Sequence, residues 1–470
     1  MIRRRQMLAS AAVLAAPAIV ARANAQSAFD WKQFKGQSVE VNYQLSPRGD
    51  LVRNHIKEFE ELTGIKAGFE QIPEQQQRPK VAMEMATGHP SFDVVNVGMH
   101  VQKKLVEQAR WMEDLRPFLA DKSLTSPDFD LADFSGPSMK VATAADGSIG
   151  VIPNNQDLFI VFYNKELLAA KGFKAPPKTY DEMYSMAKAL TDPSKQIAGF
   201  VGRGLKNANV VLFDNILLGW DQETVTPDGK KLLTDTPAAI QAGEFYQKIM
   251  RDCGPQGNIG FNWNECQTTF MQGRAAMWWD GIGFSAPLLD KTKSRIADKV
   301  GFAVVPAGPK AHHSATFIEG IGIPATAKNK KAAWLFVQWI TGKGMMNEQL
   351  RAGAGTPPRL SCYAREDIVK TSAFPKEWFD TTGESLKIAR SGLPVIVPVT
   401  EFRDTVGAGL TNIVGGADVA TELKKATAAF QPVLDKSNAG CTETGAPGRE
   451  GHTSGTFRYL ISNAPNRHGG

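Results

Sequence analysis

Apolar residues run without a break from 158 to 163, LFIVFY, too continuous for one wet face and so predicted to form a strand buried on both sides. Short pieces surround it. Gly150-Val151-Ile152-Pro153 is expected to end a strand, because proline cannot donate to a ladder, and NNQD (154–157) reads as a polar crossing. Asn164 opens a short helix closed by Gly172, and Thr179 caps another with Glu182 three residues on, a capping box. Upstream, SVEVNY (38–43) alternates as a strand and LSPRGD (45–50) reads as a turn-rich loop. Leu51, Val52, Ile56, Phe59 and Leu62 then recur at helical spacing, with Gly64 just after. Strand, helix and second strand imply a parallel sheet, whose ligands gather at loops leaving the carboxyl ends of the strands. Ser46 and Arg48 lie on the first such loop, and Asn96 and His100 follow a later strand at the same edge.

Downstream, 237–250 and 263–271 are predicted helices, and 275–279, AAMWW, a strand. In the helix 329–341, Trp334, Phe336, Val337, Trp339 and Ile340 are core residues by spacing. Helices at 398–416 and 419–434 close the folded part. From Ser437 the chain turns to Gly, Ser, Thr, Asn and Pro without periodicity, and 438–470 is expected to be a disordered tail.

A chain of 470 residues accommodates two ordinary domains. Arg3-Arg4-Arg5, an apolar run from 7 to 20 and Ala23-Asn24-Ala25 read as an export signal, 1–25, removed near Ala25. Arg4-Arg5 resembles the twin-arginine form, with an ordinary Sec signal as the alternative. Losing that segment takes the formal charge from +6 to +2, so charge makes no case for nucleic acid as a partner. Cys253 and Cys266 flank a predicted loop, and in an exporting compartment a disulfide closing it is the favoured reading, with two separately buried thiols as the alternative. No CxxC or His-rich spacing suggests a metal, and no cofactor is expected.

Tyr163-Asn164-Lys165-Glu166-Leu167 and PPKTYDE (176–182) resemble landmarks of the maltose-binding-protein-like solute-binding components of bacterial ABC importers. FEELTGIKA (59–67), DGSIGVIP (146–153), FMQGRAAMWWDGIGF (270–284) and GAGTPPRLSCY (353–363) recur in the family's order. The resemblance implies an α/β, two-lobed periplasmic-binding-protein fold, type II-like, with a three-segment hinge and a ligand cleft between lobes. Its divisions would be 26–153 (lobe 1, first part), 154–315 (lobe 2, first part), 316–355 (lobe 1, second part) and 356–437 (lobe 2, second part).

The resemblance also places candidates. Asn155 and Asp157 would sit between the lobes, and Asn209, before a helix, would either cap it or face the cleft. Trp278 and Trp279 alternate along a strand, so only one can present a ring to a sugar; Trp279 is that candidate, and Asp280 beside it is preferred. Glu319 falls in the second crossing, where it could accept from two hydroxyls, and Arg359 in the third. The implied function is a periplasmic, monomeric binding component, not an enzyme, that closes on a sugar, polyol or oligosaccharide and docks on ABC permease transmembrane subunits. A secreted carbohydrate-active enzyme using Asp157, Asp280 or Glu319, and the same fold retuned to a non-sugar solute, are the alternatives.

Overall fold

The computed structural model describes residues 28–144 and 146–443; residues 1–27, which include the expected export signal, and residues 444–470 lie outside them. Eight strands form one sheet: β1 (Ser38–Gln44), β2 (Lys66–Ile72), β3 (Val94–Gly98), β4 (Val151–Asn164), β5 (Met277–Gly281), β6 (Val300–Val304), β7 (Ser314–Gly322) and β8 (Ala389–Ser391). Their order is β2-β1-β3-β7-β4-β5, with β6 on β4 and β8 on β7. The opening β1, β2 and β3 are mutually parallel, as the strand–helix–strand pattern requires.

Strand β4 ties the sheet together. Residues 151–158 pair antiparallel with β7, and 159–164 pair with β5 and β6. The expected break at Pro153 does not occur. The strand continues through the polar segment because its register slips between Pro153 and Asn155, which removes the need for a ladder N–H at proline. The polar side chains find partners within the protein: Asn154 Nδ2 donates to Tyr43 Oη at 2.7 Å, and Gln156 Oε1 accepts from Ser135 Oγ.

Helices Pro47–Thr63 and Lys330–Thr341 pack together, the first against β2 and the second against β1, around Phe59, Trp334 and Phe336. Helix Lys376–Lys387 covers β6 and the far half of β4. On the other side of that half, Val210–Leu218, Pro237–Cys253, Val399–Gly415 and Val419–Glu443 pack as a helical layer around Phe213, Tyr246, Phe402 and Phe430. The last helix runs to Glu443, so the first residues of the expected tail are helical.

Local chemistry follows the sequence at most ends. Asn164 accepts from Glu166 N and Leu167 N, Thr179 accepts from Glu182 N, and Gly64 closes its helix at φ 70°. LSPRGD differs: Ser46 is a helix N-cap and Pro47 the first helical residue, so Arg48 sits in a helix's first turn rather than on a loop. The expected Cys253–Cys266 disulfide is not formed. Both thiols are free and buried, Cys253 in the helical layer and Cys266 in the other main core cluster. Among the described residues no helix is long and apolar enough to cross a membrane.

Candidate functional site

Three chain segments pass one another at the middle of the molecule. Asn155 on β4 is opposite Glu319 on β7, and Asp157 opposite Phe317. The third segment lies alongside: Gln156 N donates to Thr356 O and Thr356 N donates to Asn155 Oδ1, both at 2.9 Å. Gly355 makes this approach possible. A Cβ there would stand 2.7 Å from Arg48 Cδ and 2.8 Å from Asn155 Oδ1.

Side chains alternate across a strand, so Asn155, Asp157 and Phe159 share one face of β4, and Phe317 and Glu319 the matching face of β7. Arg48 Nη2 reaches Glu319 Oε2 at 2.5 Å, both side chains keeping about 15% exposure. Burial works against the Arg48 charge, but Glu319 and Tyr43 outweigh it and keep the guanidinium firmly protonated. Asp157 Oδ1 accepts from Gly283 N at 3.0 Å, and a side chain at Gly281 would strike its Oδ2. Burial lifts the Asp157 carboxyl to about 6, opposed by the Gly283 N–H and by Arg48 and reinforced by Asp280.

Beyond Asp157 lies a second arginine. Arg203 grips the fully buried Asp280 through Nε at 2.8 Å and Nη2 at 2.5 Å. Asp280 also accepts from Trp278 Nε1 and Gly281 N. The Arg203 guanidinium carbon lies 5.9 Å from the Phe159 ring centre and 5.7 Å from that of Phe284. The result is a file of alternating charge, Glu319, Arg48, Asp157, Arg203, Asp280, with the rings of Phe159 and Phe284 against Arg203.

The structure brings Arg48, Asn155, Asp157, Asp280 and Glu319 together. His100 adjoins them, its ring edge-on to Phe317 at 5.8 Å and its Nδ1 3.3 Å from Ile318 O. The remaining candidates are held elsewhere. Ser46 Oγ accepts from Gly49 N as a helix cap. Asn96 is buried and donates to Gly320 O. Asn209 is buried among Gly204 O, Gly407 O and Thr411 Oγ1, joining two helical segments rather than facing a cleft. Trp279 is wholly buried, its indole N–H on Asn215 Oδ1 and its ring against Tyr180, so it offers no face to a ligand. Arg359 is also wholly buried, on Phe129 O, Asp130 O, Asp133 Oδ2 and Thr341 O.

Arg203 and Tyr43 were not singled out from the sequence. The available signal for Arg203 was indirect: an aspartate at the end of an apolar strand, once buried, requires a cation.

The model of a family described as bacterial extracellular solute-binding protein matches residues 44–347. The chain belongs to that family. Among similar proteins is the erythritol/L-threitol-binding protein of Mycolicibacterium smegmatis, 27% identical over 464 residues, which cover 90% of this solute-binding protein and 95% of that one. The mannitol-binding protein of Pseudomonas aeruginosa is 25% identical over 339 residues, 68% of this chain and 72% of that one. Among solved structures, an ABC transporter solute-binding protein from Agrobacterium radiobacter in complex with ribitol superposes with a TM-score of 0.74 at 22% identity, over 85% of this chain and 99% of that one. The fold is therefore the two-lobed one of periplasmic binding proteins, and the chain is a solute-binding component of an ABC importer.

The elevated Asp157 carboxyl has a measurable consequence. Its folded value, about 6, exceeds the ordinary 3.8, so between those limits the folded state holds more protons than the unfolded one. Stability contributed by this group is therefore present below about pH 4 and lost as pH rises through about 6. Urea unfolding of the unliganded protein should show this decline, and Asp157→Asn should remove it; equal slopes in both proteins would refute the assignment.

Proposed function

We propose that this solute-binding protein captures a small acyclic polyol between its lobes and passes it, unaltered, to its membrane permease. The observation that carries this reading is the file of alternating guanidinium and carboxylate groups across the β4–β7 face, fed from one side by Tyr43 and Arg48 and from the other by Arg203 and Asp280. Each polyol hydroxyl both donates and accepts, and a row of neighbouring hydroxyls matches such a file. Arg48, Asn155, Asp157, Arg203 and Glu319 are the proposed contacts, with His100 at the edge.

Two further points support the class of solute. Relatives named for erythritol or L-threitol and for mannitol match most of the chain. The tryptophan that would have offered a flat face to a sugar ring, Trp279, is buried, which favours an open chain over a pyranose. The enzyme reading is disfavoured because Asp280 and Glu319 are each engaged by an arginine and are poorly placed to exchange protons. On this reading the protein is a monomer in the periplasm, cleaved near Ala25, with the lobes divided near 153, 315 and 355.

Titration calorimetry and thermal-shift measurements on the mature chain, against erythritol, ribitol, mannitol, maltose and simple organic acids, test this. A polyol at 100 times its dissociation constant should stabilise the protein by about 2.7 kcal/mol, and mass spectrometry should recover it unchanged. Stabilisation by maltose or an acid alone would overturn the substrate class; chemical conversion of the polyol would overturn the binding role.

A further inference from the structure

A cavity of about 400 Å³ opens away from the Arg48–Asp157 face, between residues of the segments 31–58, 126–129 and 338–348. Its volume falls within the ~300–1,000 Å³ usual for small-molecule pockets. Buried Phe129 and Met345 form its floor, and half-buried Trp31 and Trp339 also line it. The floor is braced from within, because the Arg359 guanidinium lies 5.2 Å from the Phe129 ring centre and donates to Phe129 O at 2.6 Å.

Charge around the cavity is one-sided. Four ionisable side chains line it: Glu58, Asp128, Glu348 and Lys343. Lys343 is paired with Asp130, and Glu348 with Arg351. That leaves Glu58, which has the imidazole of His55 at 3.9 Å, and Asp128, for which no ion pair occurs among the described residues. Aromatic rings combined with a surplus of carboxylates suit one chemistry best: a cation whose charge is spread over methyl or methylene groups, attracted by the rings and the carboxylates together. A neutral polyol gains nothing from the rings' electrostatics, and an anion is repelled.

We infer that this cavity is a second ligand site, for a small organic cation such as a quaternary ammonium compound. It is distinct from the interlobe site and does not depend on the polyol reading.

Choline is a suitable probe for the mature protein, read by tryptophan fluorescence and calorimetry, with sodium chloride at equal ionic strength as the control. Binding should saturate at one equivalent below ~10 mM and persist unchanged in Arg48→Ala. The surface double variant Glu58→Gln/Asp128→Asn should weaken it at least ~10-fold, and Trp31→Ala comparably. These three positions are exposed or half-buried, and circular dichroism checks that the variants fold. The inference is overturned if choline shows no saturable signal beyond the salt control, if the double variant binds as well as the parent, or if Arg48→Ala abolishes binding.

Discussion

Arg203→Ala should leave a protein that no longer holds polyol and is markedly less stable. The guanidinium offers charge-assisted hydrogen bonds worth about 1.5–3 kcal/mol each, so losing one or two predicts an affinity at least ~10-fold lower. Asp280, with no exposed surface, would at the same time lose its paired cation. Stranding one member of a buried pair costs about 3–5 kcal/mol, whereas replacing both members by uncharged groups is often nearly neutral. The double variant Arg203→Met/Asp280→Asn should therefore recover part of the stability and none of the binding, because its one amide oxygen can replace Oδ1, which accepts from Gly281 N, but not also Oδ2, which accepts from Trp278 Nε1. Calorimetry and urea unfolding on the three proteins separate the two effects. Retained affinity in the single variant would reduce Arg203 to scaffolding.

Arg359→Ala should do the opposite: destabilise by about 3–5 kcal/mol and leave polyol affinity unchanged wherever the protein is folded. Its guanidinium donates to Thr341 O at 2.7 Å, Asp130 O at 2.9 Å, Phe129 O at 2.6 Å and Asp133 Oδ2 at 3.2 Å, and lies 4.1 Å from the Phe134 ring centre. Arg359→Lys should rescue little, since one ammonium cannot reproduce a planar fork serving two directions. A selective loss of affinity without loss of stability would restore Arg359 as a ligand contact.

These two arginines show how far the sequence could be read. Periodicity identified LFIVFY as doubly buried, and capping chemistry located the helix starts at Asn164 and Thr179, because both properties belong to neighbours along the chain. Continuity of β4 through Asn154 and Gln156 was not legible, since it depends on Tyr43 and Ser135, which arrive from elsewhere in the fold. The same limit hid Arg203, the partner of Asp280, and the surroundings of Arg359, read as a ligand or hinge contact, whose guanidinium is met by Phe129, Asp130, Asp133 and Thr341 from other parts of the chain. Cysteine spacing likewise says nothing about which core a thiol enters, and Cys253 and Cys266 entered different ones.

The shared strands have a mechanical consequence. Because β4 is bonded to β7 over one half and to β5 and β6 over the other, the halves of the molecule are joined by a ribbon whose rungs span the junction. Such a ribbon yields by coiling about its long axis, most easily at the extra residue near Pro153. Closure by such a ribbon, with the Thr356 segment bonded alongside it, would follow one path and return the same atoms into register without a search.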